Sequence, residues 1–177
     1  LPDLFLPHFY LIHARGLFTD ITARRQAEAE IHRSRDLLRA VFQESADAIF
    51  LVDPVSLLNL DCNQRAVELF QASSQADLIG VNGASLHRFP FSVAEQAEAQ
   101  HSLEQWGVWS AEIEYRTLQG YFFWGNIAVK QIQLAEQNLI LVRITDISYR
   151  KRSEMLLQQQ AKRDHLLKQV AFCTRES

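Results

Sequence analysis

Between residues 109 and 116 the chain alternates strictly. Trp109, Ala111, Ile113 and Tyr115 take the odd positions, with Ser110, Glu112, Glu114 and Arg116 between them. A period of two sends one set to each face of a strand, so residues 109–118 predict a half-buried strand. Gln119-Gly120 is a turn signal, and a second strand is predicted over 121–135. Glu136-Gln137-Asn138 turns that into a third, over 139–144, made of β-branched residues and leucine with one arginine. Three strands joined by short turns predict an antiparallel meander. Upstream, 48–53 reads as a strand stopped at Pro54, which cannot continue a ladder, and 57–62 as the next strand.

Elsewhere the period is helical. From Ala23 to about Glu44 there is no Gly or Pro, and Ile31, Leu38, Val41 and Phe42 recur at spacings of three, four and seven. Arg35 interrupts that stripe, so an unbroken coiled coil is not indicated. The stripe fits a helix covering its own domain, and equally one pairing with its copy in a second subunit. Asn63 can cap a short helix over 64–70, and Ser73 or Ser74 another over 75–79 that Gly80 ends. Ser92 followed by Glu95 is a capping box, opening a helix to about Gln105 that Gly107 closes. The stretch 81–91 is irregular and carries Leu86, Phe89 and Phe91.

The sharpest pattern is a change of type. The apolar strand 139–144 gives way within three residues to Thr145, Asp146 and Ser148, all residues that cap helices. A charged helical stretch from Tyr149-Arg150-Lys151 follows at once. A buried strand that turns directly into a projecting helix is a mechanical coupling. Thr19, Asp20, Ile21, Arg24 and Glu28 recur as Thr145, Asp146, Ile147, Arg150 and Glu154, so Asp146 lies 126 positions after Asp20. A repeat that long is a whole domain plus a linker.

That junction resembles the exit of PAS domains, the sensor modules strung along bacterial signalling kinases and cyclases, and the resemblance extends over roughly 36–154. Asp53 at a strand end, Asn63 after the second strand, Ala66, Leu78-Ile79-Gly80, Gly120, Phe123-Trp124 and Asp146 match the family's landmarks. The resemblance implies an α+β PAS fold: an antiparallel sheet of about five strands, helices on one face, long flanking helices. It implies four parts: 1–22, the last strand of an upstream PAS domain; 23–45, a linker helix; 46–148, the PAS domain; and 149–177, a signalling helix. The whole reads as a piece of a longer protein.

Composition adds exclusions. The hydrophobic fraction of 47% and charged fraction of 22% are ordinary for a soluble globular protein. A net charge of −3 gives no reason to expect nucleic acid. Cys62 and Cys173 fall in different predicted elements, which reads as reduced and cytoplasmic. No apolar run approaches the roughly 18–20 residues needed to span a bilayer, and the opening residues, broken by Pro7 and His8, are no signal peptide. Phosphate loops, nucleophile elbows and His-Glu-x-x-His are missing, so the segment is expected to be no enzyme. His165, without the His-Glu and downstream Pro context of a kinase phosphoacceptor, reads as a linker residue.

Many PAS sheets cup a cavity for a flavin, haem or metabolite. Alternation suggests its lining: Ile113 and Tyr115 on one strand, Phe123, Gly125, Ile127 and Val129 on the next, Ile140, Val142 and Ile144 on the last. A filled core fits this set first. A cavity for an unidentified small ligand, anchored by Asn126 or Tyr115, fits second. The flavin-binding members' Asn-Cys-Arg-Phe run is absent, and their amide positions correspond to Gly125 and Ile144, which argues against flavin. Haem-binding members use a histidine on the helix before the meander; His101 lies there, but without an Arg-rich propionate site it reads as exposed. His87 has no second ligand at metal spacing, so no metal is expected. The expected role is an intracellular sensory and relay module of a two-component sensor histidine kinase, signalling through Thr145, Asp146, Ser148 and Arg150. Its expected partners are adjacent domains and a second copy, through Leu38, Phe42, Leu156 and Leu167. The alternatives are a diguanylate cyclase module, a haem or flavin redox or gas sensor, and a structural dimerisation spacer.

Overall fold

The alternating segments pair with one another. The computed structural model describes residues 8–134 and 136–173. β3 (Val108–Arg116), β4 (Phe122–Leu134) and β5 (Gln137–Asp146) form the antiparallel meander, with Ile113 opposite Gly125 and Ile127 opposite Ile144. β1 (Ala48–Val52) lies antiparallel on the other edge of β5, with Phe50 opposite Val142, and β2 (Asn59–Cys62) on the outside of β1. The sheet order is therefore β2-β1-β5-β4-β3, and the strand richest in branched aliphatics is central. β1 stops where Asp53 turns the chain: its carboxylate accepts from the Val55 and Ser56 amides and the Ser56 hydroxyl. Such a self-bonded turn competes successfully with strand continuation.

One face of the sheet is covered. Asn63, fully buried, caps α2 (Gln64–Leu69) by accepting from the Ala66 amide. The same side chain accepts from Ile49 and donates to the Asp47 carbonyl, so one amide fixes the helix start and the entry of β1. Single 3₁₀ turns follow at Gln75–Asp77 and Gly83–Leu86. α3 (Val93–Trp106) opens on the Ser92–Glu95 capping box and ends at Gly107, whose φ of 69° suits glycine. Phe70 sits at the centre of the core, edge-on to Phe50, Tyr115 and Phe123 at ring distances of 5.7, 5.6 and 5.3 Å. Gly125 lets that cluster close: a Cβ there would lie 2.7 Å from the Tyr115 ring and 2.8 Å from the Ile144 side chain.

Three expectations change. Residues 8–22 are not a strand: α1 runs unbroken from His8 to Gln43. A strand without a sheet leaves its amides and carbonyls unpaired, whereas a helix pairs them internally. The part of that expectation covering 1–7 lies outside the described residues. β2 begins at Asn59 rather than 57, because Leu57 takes a positive φ of 57° in the preceding turn. The helix expected over 75–79 is a single 3₁₀ turn. The chain divides into two compact units between Gln43 and Glu44; the second holds the sheet and α4 (Ser148–Cys173).

Phe123 stacks on Tyr115 with ring centres 5.3 Å apart, while Trp124 beside it points to the opposite face. Phe123→Ala is expected to cost about 3–5 kcal/mol in denaturant unfolding. A loss below about 1 kcal/mol, the range of a surface change, would contradict this packing.

Candidate ligand cavity and exit junction

The inner face of the sheet is filled at one end and open at the other. At one end the rings of Phe70, Phe123 and Tyr115 pack together over the close approach at Gly125. Beyond them lies a cavity of about 230 Å³. Its walls are Phe50 and Val52 of β1, Trp109 and Tyr115 of β3, Ile127 and Val129 of β4, and Ile140, Val142 and Ile144 of β5. Leu86, His87 and Phe91 of the loop, with Ala99 and Leu103 of α3, form much of its roof.

Six of the nine expected lining residues are therefore in place: Tyr115, Ile127, Val129, Ile140, Val142 and Ile144. The other three are core residues instead. Phe123 and Gly125 are covered by the aromatic cluster, and Ile113 is buried outside the lining. Asn126 is not an anchor, because the pleat sends it to the outer face. His101 is exposed and does not reach the cavity. Ala99 and Leu103, four apart, share the inward face of α3, and a residue midway between them points away.

The cavity is apolar except at a few points, and two of these are unpartnered. The Tyr115 hydroxyl, in a residue 1% exposed, has no hydrogen-bond partner, and neither has Nδ1 of His87. Their rings meet edge-on at 5.2 Å. Backbone pairing clips the loop to β3: His87 bridges Tyr115, and the Arg88 amide donates to the Glu114 carbonyl at 2.7 Å. The Arg88 guanidinium adds an ion pair to Glu114 and lies over the Phe122 ring. Burial pushes the Tyr115 phenol far above its ordinary value and lowers His87, so both are neutral at pH 7. Sequence reading missed His87 as a lining residue, since an aperiodic loop gives no face to assign. Its one signal was a polar residue set among Leu86, Phe89 and Phe91.

At the exit, β5 and α4 are separated by Ile147 alone. Asp146 accepts from the Ser148 amide at 2.8 Å. Ser148 turns its hydroxyl to the Trp124 amide of β4, and the Ile147 amide donates to the Trp124 carbonyl at 2.8 Å. Thr145 is half-buried opposite Asn126. Arg150 does not pair with Asp146 but with Glu154 at 2.9 Å and with Glu112 of β3. Lys151 joins Glu112 and lies over the Trp124 ring at 4.8 Å. Glu112 could not have been found from the sequence, because only strand register brings it beside residues 38 positions later.

Residues 36–105 match the family model described as PAS domain. The folded unit has the PAS fold. Solved structures agree in fold: a PAS domain of an HTR-like protein from Haloarcula marismortui aligns at 19% identity, covering 70% of this chain and 99% of that one, with a TM-score of 0.58. A PAS domain from a two-component sensor histidine kinase aligns at 13% identity over 65% of this chain and 97% of that one, TM-score 0.54. An RNA-binding Light-Oxygen-Voltage receptor aligns at 16% over 74% of this chain and 38% of its own, TM-score 0.61. At these identities the likeness is one of fold. No curated protein matches the sequence. Among the described residues no cluster of His, Cys, Asp or Glu could hold a metal ion, and no helix is long and apolar enough to cross a membrane.

Lys151 first, then Arg150, hold the Glu112 carboxyl below its ordinary value of 4.5. A group depressed in the folded state contributes stability above its ordinary pKa and loses it as pH falls through the lowered one. The protection of amides 147–151, measured against the intrinsic exchange rate at each pH, is therefore expected to fall in acid. Glu112→Gln should show faster exchange already at pH 7 and a weaker acid dependence. Exchange that is the same in both proteins at both pH values would show that this pairing does not hold the helix.

Proposed function

We propose that this PAS-fold domain is the sensory and relay module of a two-component sensor histidine kinase, and that it performs no chemistry itself. The observation that carries the reading is the double duty of β5. Ile140, Val142 and Ile144 form a wall of the cavity, and the same strand ends at Asp146, one residue before α4. An occupant that bears on this wall displaces the strand end, and the bonds from Asp146, Ser148 and Glu112 carry the displacement into the first turn of α4. The result is a population shift between two placements of α4. A likeness in fold to the PAS domain of a sensor histidine kinase supports the kinase setting. The cavity's volume favours a small molecule over flavin or haem, since sites for drug-sized ligands run from about 300 to 1,000 Å³.

Asp146→Ala tests the relay. Loss of a carboxylate that accepts a helix-start amide typically costs about 1 kcal/mol, so exchange over 147–151 should rise roughly fivefold. The sheet amides should stay protected. Unchanged exchange at the junction would remove Asp146 from the path and the relay with it.

Self-association completes the proposal. Leu38 of α1 and Leu156 and Leu167 of α4 are each more than half exposed, while Phe42 is partly covered. Apolar side chains spaced along long helices are stabilised by a second copy. Light scattering of the purified chain is expected to return a dimer mass. A monomer mass at high protein concentration would refute it.

A further inference from the structure

The cavity, taken as a ligand site in the reading above, also states what its ligand must offer. Two polar atoms in residues that line the cavity have no hydrogen-bond partner, the Tyr115 hydroxyl and Nδ1 of His87, and they sit on rings that meet edge-on at 5.2 Å. A buried polar atom without a partner is destabilising, so an unpaired pair in one cavity is an unfilled requirement. No Lys, Arg, Asp or Glu lines the space. An anion would lose its hydration there without gaining a counter-charge.

We propose that the cavity binds a small, neutral, mainly hydrocarbon molecule carrying one hydroxyl group, which pairs with both Tyr115 and His87. A hydroxyl donates one hydrogen bond and accepts two. It therefore satisfies both atoms whichever imidazole nitrogen bears the proton. A ketone or ether only accepts, and would leave one atom short in one tautomer. Size follows from the volume: an apolar cavity of about 150 Å³ takes benzene, so about 230 Å³ takes roughly nine non-hydrogen atoms. The rest of the lining, including Val129, Ile140 and Leu103, suits a ring or short branched chain. The clipped loop matters here, because the His87–Tyr115 backbone bridge holds the two residues side by side.

Calorimetric titration of the purified chain with benzyl alcohol, toluene and benzoate tests this, with amide spectra following residues 86–91 and 140–144. In a purely apolar cavity toluene binds more tightly than the alcohol, whose hydroxyl would lose water for nothing. Here benzyl alcohol is expected to bind at least as tightly as toluene, and benzoate not to bind. Tyr115→Phe keeps the ring that stacks on Phe123 and removes only the unpaired hydroxyl, so it should fold. It should shift the alcohol-to-toluene ratio about tenfold towards toluene, the worth of roughly one hydrogen bond. His87→Leu should shift the ratio in the same direction. If alcohol and toluene both bind and neither substitution moves their ratio, the cavity reading stands and the assignment of the polar pair is overturned. Benzoate binding as tightly as the alcohol overturns it too. If neither alcohol nor toluene perturbs the spectra, the cavity reading falls and this proposal with it.

Discussion

β5 is hydrogen-bonded along both edges, to β1 on one side and β4 on the other. That constraint organises the molecule. A strand held on both sides cannot slip by one residue without sending every side chain to the wrong face. Ile140, Val142 and Ile144 are thus committed to the cavity. The one direction in which the strand has freedom is along its end, past Asp146, where ladder bonding stops and α4 begins.

The cavity is the counterpart of an unusually full region beside it. Phe70, Tyr115 and Phe123 fit together because Gly125 has no side chain where the Tyr115 ring lies. Beside that cluster the cavity is lined by Ile127, Val129, Ile140, Val142 and Ile144 together with Phe50, Trp109 and one side of the cluster itself, Phe70 and Tyr115. Cys62 belongs to the filled part as well: fully buried, its thiol is pushed up to about 11 by desolvation, then by Asp61, which leaves it inert.

Where side chains repeat, the fold was legible. Alternation placed β3, turn signals bounded β4, a β-branched run marked β5, and the Ser92–Glu95 box and Gly107 bounded α3 to within a residue. Alternation also gave the face of each lining strand. It could not say how far along that face the core is filled, which is why Ile113, Phe123 and Gly125 were expected in the cavity. Roof residues such as His87 come from a loop with no period. Glu112 was hidden for a different reason: its partners are set by register across three strands. Residues 8–22 misled because apolar β-branched residues without a sheet to join have no reason to stay extended.

The Asn63 amide bears on how this domain assembles in time. It ties Asp47 and Ile49 to Ala66 across fewer than twenty residues, so β1, β2 and α2 form one local unit. The meander is a second, closed by short turns. What joins them is the β1–β5 ladder, in which Phe50 meets Val142 after most of the domain has intervened. Closing so long a loop carries an entropic cost that the two local units do not meet. The seam between β1 and β5 is thus the step at which two half-built sheets become one, and the cavity comes into existence only when it closes.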